Sequence, residues 1–389
     1  MSIRFRAMRS ILAFSLALAA SAAQGGPRAR DLGVPFDGDP GPLNAITDVA
    51  GVTVGQVTLI EDLPDGRKVR TGVTAILPRG KDTLTTPVFA GSFVLNGAGE
   101  MTGRDWVEES GMLDGPVMLT NTHSVGTVHQ ATIEWRVKHG TADASGYFWS
   151  TPVVAETWDG ELNDVNGFHV KPEHVFAAIE GAKPGPVDEG NVGGGTGMIC
   201  HIFKCGIGTS SRRVKLEGQA YAVGALVQAN YGSRASLRIA GVPVGQELPT
   251  NAQRGERERG DTGSIIIVVG TDAPLLPHQL DRIAKRAALG LARMGSYAGN
   301  GSGDFIVAFS TANAGAMTGS GTLDAKFLDN DSLDGLFEAT AQATEEAIVN
   351  AMVAARDMAG NAGHEARALP HDVLKKLLAR YGRAGSTPR

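Results

Sequence analysis

A short apolar run over residues 264–269 follows directly on Gly263 and is preceded by a long charged stretch. Its length and composition predict a strand, whereas the polar segment 246–262 predicts an exposed loop. A helical pattern follows Pro277, and a second apolar run covers residues 304–310. If the two strands of this strand–helix–strand unit are parallel, their amino-terminal ends meet at one edge of a sheet. Ser264 is therefore expected at the edge where the exposed loop enters the sheet.

The pair Gly263 and Ser264 is open to two interpretations. A Gly-Ser pair before a strand is usually a turn. If the bond between the two residues is cut, however, Ser264 carries a free α-amine beside its hydroxyl. An N-terminal amine, with an ordinary pKa of about 7.7–8.0, can act as the base that activates a hydroxyl. The residues alone allow either a turn or a serine nucleophile that chain cleavage switches on.

Further apolar runs bounded by turn residues predict more strands, over 53–60, 74–77, 86–95, 116–120 and 219–227. Apolar residues at helical spacing predict helices over 124–139, after Pro277, and over 332–359. Strands and helices mixed in this way predict an α/β or α+β layered fold.

Charge and the amino-terminal segment limit the possible partners and location. The net charge of −5 gives no basic surface, which argues against nucleic acid as the main partner. Residues 1–24 combine Arg4, Arg6 and Arg9 with a short apolar stretch and small residues, a pattern typical of a cleaved signal peptide. An uncleaved anchor stays open, but the apolar part is short for a transmembrane helix. We expect a periplasmic or secreted protein that is free of the membrane.

Cys200 and Cys205 lie close together, with His201 between them. They could form a disulfide in an oxidising compartment, but two ordinary buried thiols are the expectation. A metal site needs more ligands at characteristic spacing, so no metal is expected. The glycine run over 193–197 lacks the lysine of a phosphate-binding loop. No cofactor is therefore expected.

Ser302 and Asp304 are two residues apart, so an extended backbone projects both side chains to one face. A hydroxyl and a carboxylate placed there could relay or orient a proton near Ser264. Without further information, Gly-Ser-Gly-Asp is more typical of a loop, Asn230 of a turn, and Glu156 of a surface acid.

Motifs along nearly all of the chain after the leader resemble the DmpA/BapA family of L-aminopeptidase/D-esterases and β-peptidyl aminopeptidases, and their order is that of the family. They are RARDLG at 28–33, NAITDV at 44–49, GVTVG at 51–55, TGVTAI at 71–76, NTH at 121–123, PVVAET at 152–157, NVGGGTG at 191–197, GIGTS at 206–210, GSIIIVVGTDAPLLP at 263–277, GSGD at 301–304 and FSTAN at 309–313.

This resemblance implies a four-layer αββα sandwich that cleaves itself between Gly263 and Ser264. Residues 25–263 would form the larger chain and residues 264–389 the smaller chain of one hydrolase domain. The implied activity is that of a serine aminopeptidase with an N-terminal nucleophile. It would act on short peptides, amino acid amides or esters that carry a free amine, and the family commonly assembles as tetramers of cleaved heterodimers.

The resemblance also implies roles for particular residues. Ser264 matches the nucleophile, and Asn230 matches the asparagine of the oxyanion hole. Ser302 and Asp304 match a second serine and its acidic partner. The acid is often glutamate in the family, so the shorter aspartate puts the reach of this group in doubt.

Two residues are expected to contact the substrate. Glu156 matches the acid that holds the substrate's free amine. Trp158 stands where some members carry a tyrosine whose hydroxyl serves the oxyanion site; tryptophan has only an N–H donor, so it is expected to form a wall of the pocket. The resemblance also places the glycine run 193–197 close to the nucleophile, with Asn191 supporting that wall.

Two other functions remain open at this point. Related self-processing sandwiches include acyltransferases, although those resemble enzymes with a threonine nucleophile more closely. An inactive periplasmic binding protein is the third hypothesis. The preference for L-, D- or β-amino acids depends on pocket shape, which the spacing of residues does not give.

Overall fold

The computed structural model describes residues 26–140, 149–251, 260–316 and 321–385. The predicted signal peptide at 1–24 and residues 252–259 of the predicted exposed loop lie outside these ranges. The strands are β1 Thr53–Asp62, β2 Lys68–Lys81, β3 Val88–Gly97, β4 Met112–Leu113, β5 Val117–Asn121, β6 Val153–Thr157, β7 Ile199–Cys200, β8 Phe203–Lys204, β9 Ile207–Leu216, β10 Gln219–Asn230, β11 Gly263–Thr271, β12 Ser302–Ser310, β13 Met358–Ala359 and β14 Glu365–Ala366. The helices are α1 Arg104–Ser110, α2 Val125–His139, α3 Pro172–Glu180, α4 Val244–Glu247, α5 Pro277–Arg293, α6 Asp334–Val353 and α7 His371–Arg380.

Two larger sheets organise the molecule. One has the strand order β1-β2-β5-β6, and the other has the order β4-β3-β12-β11-β10-β9. Two short hairpins, β7–β8 and β13–β14, stand outside them. Strands β11 and β12 are parallel and are joined through α5, as the sequence predicts.

Three apolar clusters show that these sheets are stacked between helices. The inner cluster joins the facing sides of the two sheets and includes Leu119, Ile266 and Phe305. A second cluster joins the six-stranded sheet to α5 and α6. A third joins the four-stranded sheet to α2 and α3. The order helix–sheet–sheet–helix confirms the predicted αββα sandwich.

Strand β11 is apolar without alternation because it is buried on both faces. Ile265, Ile267 and Val269 belong to the cluster on the helix side. Ile266 and Val268 belong to the cluster between the sheets. This double burial fixes the strand whose first residues are Gly263 and Ser264.

Some predicted boundaries were wrong. The predicted strand 74–77 is the middle of the much longer β2, and the last predicted helix ends at Val353, where the chain turns toward the β13–β14 hairpin. The sequence did not predict β9, whose polar residues are buried against α6. Ser210 donates a hydrogen bond to the Ala343 carbonyl, and Arg212 pairs with Glu346 at 2.8 Å.

The expectation of two free thiols was also wrong. A disulfide joins Cys200 to Cys205 and closes the short β7–β8 hairpin. Between the cysteines, His201 and Ile202 have φ values of 48° and 62°. A left-handed backbone is strained for a β-branched residue such as isoleucine, and local spacing in the sequence gives no sign of it.

Among the described residues, no helix is long and apolar enough to cross a membrane.

Candidate active site

A cavity of about 730 Å³ opens where strand ends from the two large sheets meet. Thr122 and Glu156 reach it from the carboxyl ends of β5 and β6. Asn230 reaches it from the end of β10, and Ser264 from the start of β11. The parallel strands β5 and β6 of one sheet end at this cavity, whereas β11 of the other sheet begins there. The site is therefore built from both sheets.

Ser264 is 6% exposed and lines this cavity. Alternation along β11 places its side chain on the same face as Ile266 and Val268, between the two sheets. Its Oγ accepts a hydrogen bond from the Gly303 backbone N–H at 3.3 Å. The hydroxyl is thus presented to the cavity from the start of a strand that is buried on both faces.

Gly263 occupies a position that tolerates no side chain. Its φ of +106° lies in the region that favours glycine. A Cβ atom built there would stand 2.0 Å from the carbonyl oxygen of Asn230. The residue before Ser264 is therefore glycine for two separate reasons, backbone conformation and close approach.

Asn230 lies directly opposite Ser264 in the antiparallel β10–β11 pair. Its Oδ1 accepts the Ile199 N–H at 2.9 Å, and its Nδ2 donates to the Trp158 carbonyl at 2.8 Å. These two contacts fix which end of the amide is the donor. A primary amide carries two N–H groups, so a second donor of Nδ2 remains for a ligand in the cavity.

Glu156 is a buried acid at the end of β6, and it is 3% exposed. Its Oε1 accepts the Glu100 N–H at 3.1 Å, and its Oε2 accepts a hydrogen bond from the Thr122 hydroxyl. Burial raises the pKa of the Glu156 carboxyl, while the hydrogen bond from Thr122 opposes this shift. A buried carboxylate without a cation among these contacts is suited to pair with a cationic ligand group.

Trp158 lines the cavity and is 45% exposed. Gly160 leaves room for the indole, because a Cβ atom at that position would lie 2.6 Å from the ring. The Trp158 carbonyl also holds Asn230, so the residue links the wall of the cavity to the amide donor.

Ser302 and Asp304 do face the same side of β12, as their spacing predicts. The Ser302 hydroxyl donates to Asp304 Oδ1 at 2.6 Å, so the shorter aspartate still reaches its partner. Both are fully buried, and alternation places them on the helix-facing side with Ile306 and Ala308. They therefore lie on the strand next to that of Ser264 but on the other face of the sheet, and they do not line the cavity.

The pKa of the Asp304 carboxyl is raised. Burial raises its pKa to about 6, and the hydrogen bond from Ser302 opposes that shift. Its Oδ2 is buried. An acid in this state can exchange a proton with a neighbouring group within the working range of most enzymes.

The glycine run differs from the expectation. Gly193–Gly195 is a short 3₁₀ helix, and the N–H groups of Gly193 and Gly194 donate to Thr58 and Thr74 in the first sheet. Of this run, Gly197 lines the cavity. Asn191 instead bonds the backbone of Arg356 and lines a second cavity, so it does not support the wall beside Ser264.

Several residues of the site were not predicted. Thr122 and the Glu100 N–H hold Glu156, and the Ile199 N–H holds Asn230. The carboxy-terminal hairpin also contributes a wall of the cavity through residues 362–367. Thr122 lies within the NTH motif, which was the one available signal; the others act through backbone groups or distant chain segments.

Among the described residues, no group of three or more His, Cys, Asp and Glu side chains could hold a metal ion.

The sequence is similar to known proteins over most of its length. A model of peptidase family S58 matches residues 44–366. The β-peptidyl aminopeptidase BapA of Sphingosinicella microcystinivorans is 54% identical over 382 residues, covering 94% of this chain and 95% of the relative. The BapA of Sphingosinicella xenopeptidilytica is 49% identical over 395 residues, covering 97% of both.

Solved structures of similar enzymes also superpose on this chain. The L-aminopeptidase D-Ala-esterase/amidase of Ochrobactrum anthropi, a variant of the Ntn hydrolase fold, superposes with a TM-score of 0.87 at 48% identity, covering 92% of this chain and all of that one. A β-aminopeptidase of a Burkholderia species superposes with a TM-score of 0.85 at 46% identity, covering 93% of this chain and all of that one.

Proposed function

This chain belongs to peptidase family S58, and on that premise we propose that it is a self-processing serine aminopeptidase with Ser264 as its nucleophile. It releases the first residue of short peptides, amino acid amides or esters that carry a free amine. The observation that carries this proposal is the pairing of Ser264 with Asn230 across two strands, in the cavity that also holds buried Glu156.

Activation is a cleavage of the backbone. The Ser264 hydroxyl attacks the carbonyl carbon of Gly263, and the peptide bond to the Ser264 nitrogen breaks. The acyl group is then an ester on Ser264 Oγ, and the nitrogen is a free amine. Water hydrolyses the ester, which leaves a carboxylate on Gly263 and restores the hydroxyl. The absence of a side chain at Gly263 leaves its carbonyl open to attack.

Substrate hydrolysis repeats this chemistry on an external carbonyl. Ser264 Oγ attacks the carbonyl carbon of the first residue, and the α-amine of Ser264 takes the hydroxyl proton. The remaining N–H of Asn230 Nδ2 donates to the developing oxyanion. The leaving amine departs with a proton, and water releases the amino acid from Ser264. Ser302 and Asp304 lie opposite Gly263 and Ile265 on the neighbouring strand β12, outside the cavity, so the role proposed for them is to position the start of β11 for these transfers.

Glu156 restricts the reaction to free amino termini. A substrate ammonium group pairs with its carboxylate, whereas a blocked amine forgoes this charged hydrogen bond, which contributes about 1.5–3 kcal/mol. This is the physical basis of the exopeptidase behaviour that we propose.

We include export to an oxidising compartment in the proposal. The disulfide between Cys200 and Cys205 supports it, because disulfides persist in such compartments and are rare in the cytosol.

The test is a denaturing gel and intact mass of the purified protein, followed by hydrolysis of p-nitroanilides of L-alanine, D-alanine and β-alanine. The wild type should yield two chains that divide between Gly263 and Ser264, and it should hydrolyse at least one anilide. Ser264→Ala should remain one inactive chain. Ser310→Ala, which removes a buried hydroxyl at the far end of β12, is the matched control and should be cleaved and active. A fully active, unbroken wild-type chain would overturn the mechanism.

A further inference from the structure

Resting on the proposed function, we infer that Arg367 forms a subsite for the free carboxylate at the far end of a short peptide substrate. Arg367 lines the same cavity as Ser264 and Glu156. Of the described residues that line this cavity, it is the one that carries a guanidinium or ammonium group. The inference therefore concerns which leaving groups the enzyme prefers.

The order of groups in the cavity fits this role. Glu156 is 3% exposed and lies deep, while the Arg367 side chain is 52% exposed and lies at the mouth. A substrate with its amine on Glu156 and its carbonyl at Ser264 directs its remaining part toward solvent. In a short peptide, that part ends in a carboxylate.

The backbone that carries Arg367 is firmly held. The hairpin strands β13 and β14 precede it, and the Arg367 carbonyl accepts the N–H of buried Lys204 at 2.7 Å. On the other side of the hairpin, Asn361 donates to the Leu162 carbonyl at 2.8 Å. A cation on such a support can select ligands by position.

Two carboxylates now share the guanidinium, and they differ in their surroundings. Asp357 accepts from Arg367 Nη1 at 2.9 Å and from the Ala368 N–H at 2.7 Å, and it lines the second cavity. Glu365 accepts from Arg367 Nη2 at 2.5 Å and lines the active-site cavity itself. Asp357 therefore positions the arginine from behind, and Glu365 occupies the side that a substrate would approach.

Exchange of Glu365 for a substrate carboxylate is physically easy. Glu365 is 51% exposed, and ion pairs between exposed groups are weak because water and salt screen them. Arginine presents five N–H donors in a planar fork that matches a carboxylate in two-point contact. An incoming carboxylate can replace Glu365 at Nη2, or it can bind to guanidinium N–H groups that are not used by Asp357 and Glu365.

The experiment compares three substrates that share the N-terminal residue of whichever anilide the wild type hydrolyses. One is a dipeptide with C-terminal alanine and a free carboxylate, the second is its carboxamide, and the third is the p-nitroanilide. For Arg367→Gln, kcat/KM on the free dipeptide should fall about fivefold relative to the other two, mainly through KM. We call kcat/KM on the free dipeptide, divided by kcat/KM on its carboxamide or on the anilide, the substrate ratio. Glu365→Gln should raise this ratio, because it removes the competing charge.

Two further variants sharpen the test. Arg367→Lys keeps the charge but loses the planar guanidinium that contacts a carboxylate at two points. Its substrate ratio should lie between those of the wild type and Arg367→Gln. Arg356→Gln removes a guanidinium from the same segment that lines the second cavity, and its ratio should equal that of the wild type. An equal loss on all three substrates, or an unchanged ratio in both Arg367→Gln and Glu365→Gln, overturns the inference. If the wild type hydrolyses no anilide at all, the proposed function itself fails.

Discussion

The backbone N–H of Ile199 donates to Oδ1 of Asn230 at 2.9 Å, one residue before the disulfide begins at Cys200. The β7–β8 hairpin therefore orients the amide that we assign to the oxyanion. The same hairpin places Ile202 in the cavity with a left-handed backbone, and Arg234 fixes it by donating to the carbonyls of His201 and Ile202.

Loss of the disulfide should impair both stability and turnover. Replacing Cys200 and Cys205 by serine removes a short closed loop, which should lower the free energy of unfolding by about 2 kcal/mol. Because Asn230 depends on this hairpin, kcat should fall more than KM rises. Chemical denaturation and steady-state kinetics measure the two effects, and reductant should affect the wild type but not the double variant. Wild-type stability and kcat in that variant would contradict the prediction.

Gly263→Ala should fold but be cleaved slowly or not at all. The φ of +106° is strained for alanine, at a cost of at least about 1 kcal/mol, and its Cβ would meet the Asn230 carbonyl. Intact mass over time would follow cleavage, with thermal unfolding as the check on folding. Gly260→Ala is the matched control, since a Cβ there meets nothing within 4 Å. Cleavage of Gly263→Ala at the rate of this control would refute the steric argument.

Glu156→Gln should lower kcat/KM about tenfold to a hundredfold, because a charged hydrogen bond to the substrate amine is lost. In the wild type, burial raises the pKa of Glu156, so its carboxylate is neutralised as pH falls through a value above that of an ordinary glutamate. Glu156 should therefore contribute a separate step to the acid limb of kcat/KM, and this step should be absent in Glu156→Gln, whereas the limb due to protonation of the Ser264 amine should remain. Appreciable hydrolysis of an N-acetylated anilide by the wild type would argue against this role.

Asp304→Asn should change how stability depends on pH. The folded-state pKa of about 6 exceeds the ordinary value of 3.8, so the folded protein favours the protonated acid. The wild type should therefore lose stability relative to Asp304→Asn as pH rises from about 4 to about 6, and the difference between the two proteins should not change with pH below or above this range. Melting temperatures across this range, measured in a Ser264→Ala background so that neither chain is cleaved, provide the test. Parallel curves for the two proteins would exclude a raised pKa at Asp304.

The sequence was sufficient to predict the strand–helix–strand unit around Ser264. A strand that is buried on both faces is apolar throughout, and a parallel neighbour requires a crossover connection, usually a helix. The order strand, helix, strand along the sequence therefore predicts two parallel neighbouring strands. Strand β9 gave no such signal. Its Ser210 and Arg212 are buried by virtue of partners on α6, which lie more than a hundred residues later.

The site was predicted only in part, for a similar reason. Ser302 and Asp304 could be paired from their spacing, because the distance between them is set by the strand itself. The side of the sheet on which they lie depends on which residues pack against the helices. The hairpin that carries Glu365 and Arg367 has strands of two residues each, too short to show periodicity, and it reaches the cavity through tertiary packing.

The order of strands in the larger sheet has a consequence for the cleaved molecule. If the chain is cleaved between Gly263 and Ser264 as proposed, β12 and all of β11 after Gly263 belong to the carboxy-terminal product, and they are inserted between β3 and β10 of the amino-terminal product. The carboxy-terminal product would thus fill the gap between two strands of the amino-terminal product and be hydrogen-bonded to it on both sides, so scission would alter the covalent chain without releasing a fragment. The two pieces should travel together through purification and melt as a single cooperative unit, separating only when the sheet itself is dismantled.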